Sequence, residues 1–470
     1  MAVTRSQRSI SLVQLNESHA AGSVEANGFP GLPAEVPDDD GTSHNYTSHE
    51  ANDIITQSLR PVDGGYSAWK VLIAAFIFDA LLWGFPMSFG VFQNYYSQLP
   101  GLARSNVALI GTTAQGLYFL GAPFSAMVTK RFPRYQRQQI WISWPLCILG
   151  LLAASFSSTL GGLVATQGVM YGVGFVMLAY PIVSMLNEWW VVRKGMAFGL
   201  LSASSGVTGV VMPFIIEAML RRYGHRTTLR ASAVAMVVLT APFIPLLEGR
   251  LPPSEHSTMS RTNWSFLKKP LFYVFCFSTM VQGLAFFIPP VFLPSYAADI
   301  GLSSTQGALL LALMSAAQVF GQFAFGYLSD KRFSVTSLVL VCLVFSAGAT
   351  FVFWGLSKSL PMLVTFSIIY GVFAFGFGTM RVAMGTAVSD DQSAMVATYA
   401  ILVFLQGIGN VLVSPISAGL ISNGVSLSDF GASSYKWLIV FTGGCMVLSS
   451  IPIGLQYIGV GIIKHSRRSG

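Results

Sequence analysis

The chain has 470 residues, of which 53% are hydrophobic and only 10% charged. Soluble proteins carry about 25% charged residues, so the composition argues against a soluble enzyme and for a chain solvated mostly by lipid. The net charge of +8 does not mark a nucleic-acid partner. That reading needs a soluble basic face, whereas Lys and Arg in short loops serve to orient membrane spans. Neither metal nor cofactor is expected. His19, His44, His49, His225, His256 and His465 all fall in tails or loops, and Cys147, Cys276, Cys342 and Cys445 stand singly inside apolar runs, where thiols act as small hydrophobes.

Residues 1–60 are polar, with Pro30, Pro33, Pro37 and the run Asp38-Asp39-Asp40. They hold too little apolar surface to fold and are predicted to form a disordered cytoplasmic tail. From Trp69 onward, apolar runs near 70–92, 107–128, 139–158, 162–186, 196–219 and 229–247 are each about long enough to cross a bilayer as a helix. A polar stretch from Glu248 to Lys269 follows. Six more runs lie near 271–293, 306–328, 335–355, 361–381, 395–420 and 437–460. The expected fold is an all-α membrane protein of twelve transmembrane helices. Its expected parts are a tail (1–60), an N-terminal bundle (61–247), a central cytoplasmic loop (248–269), a C-terminal bundle (270–462) and a short tail (463–470).

The halves repeat in the same direction. Tyr171-Gly172-Val173 recurs at Tyr370-Gly371-Val372, and Lys130-Arg131-Phe132 at Lys331-Arg332-Phe333. Gly206 pairs with Gly407, Pro213 with Pro415, and Pro86 with Pro289. A nearly constant offset across several matches is the mark of an internal repeat, and an even number of spans in each half makes the repeats parallel. With the N-terminus inside, seven cations lie outside: Arg104, Arg221, Arg222, Arg226, Arg230, Lys358 and Lys436. The other 20 of the 27 lie inside. Both termini are therefore expected in the cytoplasm. The outer cluster from Arg221 to Arg230 runs against the rule.

Three patterns carry a resemblance. Asp63-Gly64-Gly65-Tyr66 with Trp69 precedes the first span, and Trp189-Trp190-Val191-Val192-Arg193-Lys194-Gly195-Met196-Ala197-Phe198-Gly199 opens the fifth. The run Tyr223-Gly224-His225-Arg226 follows that span. Together they resemble the signatures of monocarboxylate porters of the major facilitator superfamily, in particular fungal members. The resemblance covers roughly residues 60–465 and implies two six-helix bundles working by alternating access. It also marks a conformational motif: Gly199, Gly206 and Gly209, which allow close helix approach, and Gly326, Asp330, Lys331 and Arg332 after the eighth span. The first half has Thr129 where Asp330 stands, so an acidic latch is expected on one side only.

Intramembrane charges are functional candidates by default. Asp79 lies midway along the first span with Trp83 one turn on, while Arg381 ends the tenth and is expected to reach the cytoplasmic surface. The predicted pathway adds Met87, Gln282, Gln318, Gln322, Phe375, Gln406 and Asn410. Better-known porters carry Phe-Pro-Lys-Ser in the first span and an Asp and an Arg one turn apart in the eighth. Here Phe85-Pro86-Met87-Ser88 and Gln318 with Gln322 stand instead. The expected function is thus transport, by a monomer in the plasma membrane, of a small neutral or amphipathic organic molecule, with protons as a coupling partner. Export of a secondary metabolite is one form of it. The alternatives are a proton-coupled monocarboxylate transporter and a non-transporting sensor on the same fold.

Overall fold

The structure is a computed structural model that describes residues 61–96, 98–99, 107–251, 263–331, 333–421 and 435–469. The predicted N-terminal tail and Arg332 lie outside these residues. The helices are α1 (Gly65–Tyr96), α2 (Ala108–Leu120), α3 (Ala122–Arg131), α4 (Gln136–Ala154), α5 (Leu160–Trp189) and α6 (Lys194–Thr240), followed by α7 (Pro270–Asp299), α8 (Ser304–Ser329), α9 (Val335–Trp354), α10 (Leu360–Val388), α11 (Gln392–Leu420) and α12 (Lys436–Ser469). Among the described residues, nine helices are long and apolar enough to cross a membrane.

Each predicted apolar run corresponds to helix, and the differences have local causes. The second run is broken at Gly121, which separates α2 from α3 and donates back to the Leu117 carbonyl at 2.9 Å. The fifth and sixth runs are joined in α6, whose one non-helical residue is Gly224 at φ 74°, a conformation that only glycine adopts without strain. Proline sits inside α1, α5, α6, α11 and α12. Packed membrane helices tolerate such breaks because neighbours satisfy the freed backbone groups. Thr208, for example, donates to the Ala80 carbonyl at 2.7 Å and Tyr171 to that of Leu82 at 2.6 Å. The last helix continues through 463–469, which the sequence reading assigned to a tail.

Buried side chains form two apolar clusters. One draws on α1 to α6, with a few residues of α10 and α11, and the other lies wholly within α7 to α12 and the turn before it. The outer arginines now have a partial explanation. Arg230 donates to Ser155 Oγ at 3.1 Å and stacks over Phe156 at 4.6 Å, and Arg222 lies over Tyr223 at 5.4 Å.

Candidate functional site: a narrow chamber and a glycine seam

The two signature motifs meet. Asp63, in the left-handed region at φ 60°, accepts hydrogen bonds from the backbone N–H groups of Val191, Val192 and Arg193 at 2.8–2.9 Å. Its own N–H donates to the Trp189 carbonyl at 3.0 Å. Trp69 packs edge-on against Trp190 at 5.3 Å. Lys70 pairs with Glu248 at 2.7 Å, and the Trp189 indole donates to the Glu248 carbonyl at 2.8 Å. A carboxylate that accepts three amides holds a turn firmly, so the start of α1 is tied to the start of α6. Glu188, which sequence reading left unremarked, is almost fully buried and accepts from the Arg250 and Leu251 amides. Its role is to fix the chain after α6.

Along α6, glycine permits contact with α8 that no side chain would allow. A Cβ added at Gly199 would lie 2.8 Å from the Gln322 carbonyl oxygen and 3.1 Å from Gly326 Cα. At Gly206 it would reach Val319 at 2.7 Å, and at Gly209 the Ser315 hydroxyl at 2.9 Å. Gly195 is tighter still, against Ser329 and Gly326. Asp330, at the end of α8, accepts from the Gly195 and Met196 amides at 2.7 and 2.6 Å. It thereby caps the amino end of α6, where exposed amides and the helix dipole favour an anion. Burial raises the Asp330 carboxyl above its ordinary range, while those two amides and Lys331 oppose the shift. Lys331 packs its ammonium over Tyr327 at 4.6 Å. At the corresponding place in the first half, Thr129 donates to the Ser125 carbonyl and to Gln139. A second contact joins α2 to α11, with Gly407 under Phe119, and a Cβ added at Gly116 would lie 3.6 Å from Val411.

Beside the seam, two adjoining chambers of about 80 and 60 Å³ lie between the helices. Trp83, Tyr118, Ser205, Gln322 and Arg381 border both. Asp79 and Tyr399 line the first, and Met87, Gln318, Phe375 and Gln406 the second. The Asp79 carboxylate accepts a short hydrogen bond from Ser204 and another from Trp83. Gln318 donates to Ser205 at 2.9 Å, across the two halves, and to Gln322 at 3.4 Å. The walls are aromatic: Trp83 meets Tyr118 at 5.1 Å and Phe175 at 5.3 Å, and Phe286 meets Phe375 at 4.7 Å.

Two predicted pathway residues are elsewhere. Gln282 is fully buried, and it and Asn410 border neither chamber. Their side-chain nitrogen and oxygen atoms are buried without hydrogen-bond partners among the described residues. The larger correction concerns Arg381. Helix α10 continues to Val388, so Arg381 stands seven residues, roughly 10 Å at about 1.5 Å per residue, inside its end. It faces the chambers, not the cytoplasmic surface. Its Nε and Nη1 atoms are buried with no hydrogen-bond partner among the described residues. Tyr118, Tyr399 and Ser205 were also absent from the sequence reading, because an isolated hydroxyl in an apolar run has no distinguishing pattern.

Comparison with known proteins accounts for this architecture. The family model of the Major Facilitator Superfamily matches residues 71–414 and 275–461. The chain belongs to that superfamily. It is a transporter and a multi-pass membrane protein, and its substrate is a small molecule. Its relatives include the MFS transporter asaE of Aspergillus flavus, 24% identical over 86% of this chain and 89% of that one. The fujikurins efflux protein of Gibberella fujikuroi is 24% identical over 91% and 93%. Human monocarboxylate transporter 12 is 23% identical over 88% and 84%. Among solved structures, the human organic anion transporter MFSD10 has the same fold, with a TM-score of 0.61 at 14% identity over 82% of this chain and 99% of that one.

Proposed function

We propose that the protein exports a small amphipathic organic molecule across the plasma membrane by alternating access between two six-helix bundles. In this reading α2 and α3 form one span and α6 forms two, divided at Gly224. That gives twelve spans in two parallel repeats, with both termini and the 248–269 loop in the cytoplasm. With Arg381 set aside in the chamber, 19 of the 20 cations assigned to the inside remain against 7 outside, and this division supports the orientation. A relative named for efflux supports the direction of transport.

One observation carries the proposal. A guanidinium whose Nε and Nη1 have no hydrogen-bond partner among the described residues faces a narrow, aromatic-walled space between the two halves. A buried charge without a partner is costly, and planar bidentate donors match an anionic or strongly accepting group. The ground for a neutral cargo was a pathway without a cation: Met87 in the first span, Gln318 and Gln322 in the eighth, and Arg381 placed at the cytoplasmic end. With Arg381 in the chamber, a cargo bearing an acidic or accepting group fits better. Asp79 faces the same space and is proposed to carry the coupling proton. The chambers are far smaller than the roughly 300–1,000 Å³ of a drug-sized site, so cargo enters only when the halves part at the α6–α8 seam.

Untargeted comparison of the medium and contents of producing cells with and without the protein tests this reading. Amphipathic metabolites should leave cells that have the protein and accumulate inside cells that lack it. Identical profiles would overturn the proposal. The monocarboxylate alternative is favoured by Arg381 itself. Saturable, pH-dependent uptake of labelled lactate by carrier-deficient cells would decide for it, and no such uptake is expected.

A further inference from the structure

Away from the chambers, a groove of about 220 Å³ runs between α3 and α11 beside the turn at Trp264. Its floor is made by small apolar side chains, Ala126, Ala397 and Ala400, and Met127 stands exposed at its edge. Its far end carries Lys130 and Arg131, and Trp264, 55% exposed, flanks it. The groove therefore grades from an apolar slot to a doubly cationic end within one helix turn. Trp is characteristic of the membrane–water interface, which sets the depth of the cationic end. Lys130 also interacts with Asp391 ahead of α11. The neighbouring Arg131, Arg134 and Arg137 are exposed, so the end keeps a positive excess.

We infer that this groove binds one anionic phospholipid of the cytoplasmic leaflet, with an acyl chain along the Ala126–Ala397–Ala400 floor and the phosphate on Lys130 and Arg131. The leaflet follows from the orientation proposed above. The chemistry selects a lipid over a soluble anion, because the larger part of the lining is apolar: Pro123, Ala126, Met127, Ala397, Ala400 and Ile401. It selects an anionic lipid over a neutral one, because two cations close one end. Cationic pockets between spanning helices on the cytoplasmic side have this affinity. The walls come from both halves of the chain, since α3 belongs to the first and α11 to the second. The site therefore exists in this form only while the halves are together, and an occupying lipid stabilises the state in which the α6–α8 seam is shut.

The test uses full-length protein in phosphatidylcholine nanodiscs with and without phosphatidylserine, and counts lipids retained after partial delipidation by native mass spectrometry. Phosphatidylserine should be retained in preference to phosphatidylcholine. Lys130→Gln with Arg131→Gln should reduce that preference about thirtyfold, at roughly one factor of five per cation. Ala397→Leu keeps both charges and narrows the slot, so it should weaken retention as well. Glycerophosphoserine, which has no acyl chains, should not compete. Equal retention of both lipids by the wild type overturns the inference, whether or not the variants fold. So does an unchanged preference in the charge variant, or full competition by glycerophosphoserine, which would leave only a headgroup site. No cargo enters the assay, so failure here leaves the export reading intact, and failure of export leaves lipid binding to stand alone.

Discussion

The seam and the chamber are both buried between the same two halves, and they are built on opposite rules. At the seam, Gly195, Gly199 and Gly206 press α6 against α8, and the polar groups there are matched: Asp330 takes the two amides that begin α6. In the chamber, Arg381 has two nitrogens without partners among the described residues, and the walls are bulky aromatics that leave space. Matched groups in close contact stabilise one arrangement of the halves. Unmatched groups around a void leave free energy for a guest to supply. The difference teaches which positions should tolerate least change in size and which least change in charge.

The comparison breaks most readily at Gly199. Replacing it with Leu inserts a side chain where even a Cβ would stand 2.8 Å from a carbonyl oxygen. Overpacking of this kind costs roughly 1–3 kcal/mol, so export at matched surface expression should fall about tenfold or more. Export near the wild-type rate would mean that the seam does not close during transport. Asp79→Asn keeps the size and the hydrogen-bonding capacity of the side chain but removes its ability to carry a proton. Release of cargo should lose its dependence on a pH gradient, while exchange of cargo across the membrane continues. An unaltered pH response would remove Asp79 from coupling.

Asp330→Asn should act more gently. One amide acceptor remains, but the charge at the amino end of α6 is lost, an effect of about 1 kcal/mol for such a half-buried group. A threefold to tenfold rise in the accessibility of a cysteine placed at the cytoplasmic end of the seam is expected. No change would mean that the glycine contact alone holds the seam. The smallest effect belongs to Gln282→Leu. Gln282 is fully buried, unpartnered and outside both chambers. Replacing an unpaired buried polar group by an apolar one is nearly neutral or stabilising, so melting should shift little or upward, with export changed less than about twofold. A large loss of export would bring Gln282 into the cargo path.

Much of the fold was legible because hydrophobic runs of helical length dominate a chain that must shed backbone polarity in lipid. The two signature motifs were visible too, but not that Asp63 would bind the amides of Val191 to Arg193, since 128 or more residues separate them. Of the predicted pathway residues, Asp79, Trp83, Met87, Gln318, Gln322, Phe375 and Gln406 border one or other of the two adjoining chambers. Gln282 and Asn410 do not, because a polar residue in a span has no sequence pattern that separates an internal position from a cavity wall. Arg381 was misplaced for a related reason. A charge invites the end of a span to be drawn there, yet Val382 to Met384 continue the apolar run and α10 carries on to Val388.

The most direct measurement is the rate at which the exported metabolite leaves sealed cells carrying wild-type or Arg381→Gln protein at equal surface density. The chamber account predicts a fall of about tenfold or more, the size expected when a charged hydrogen-bond donor to the cargo is lost. Arg381→Lys should retain part of the rate. An Arg381→Gln protein that exports as fast as wild type would contradict the claim that the unpartnered guanidinium holds the cargo.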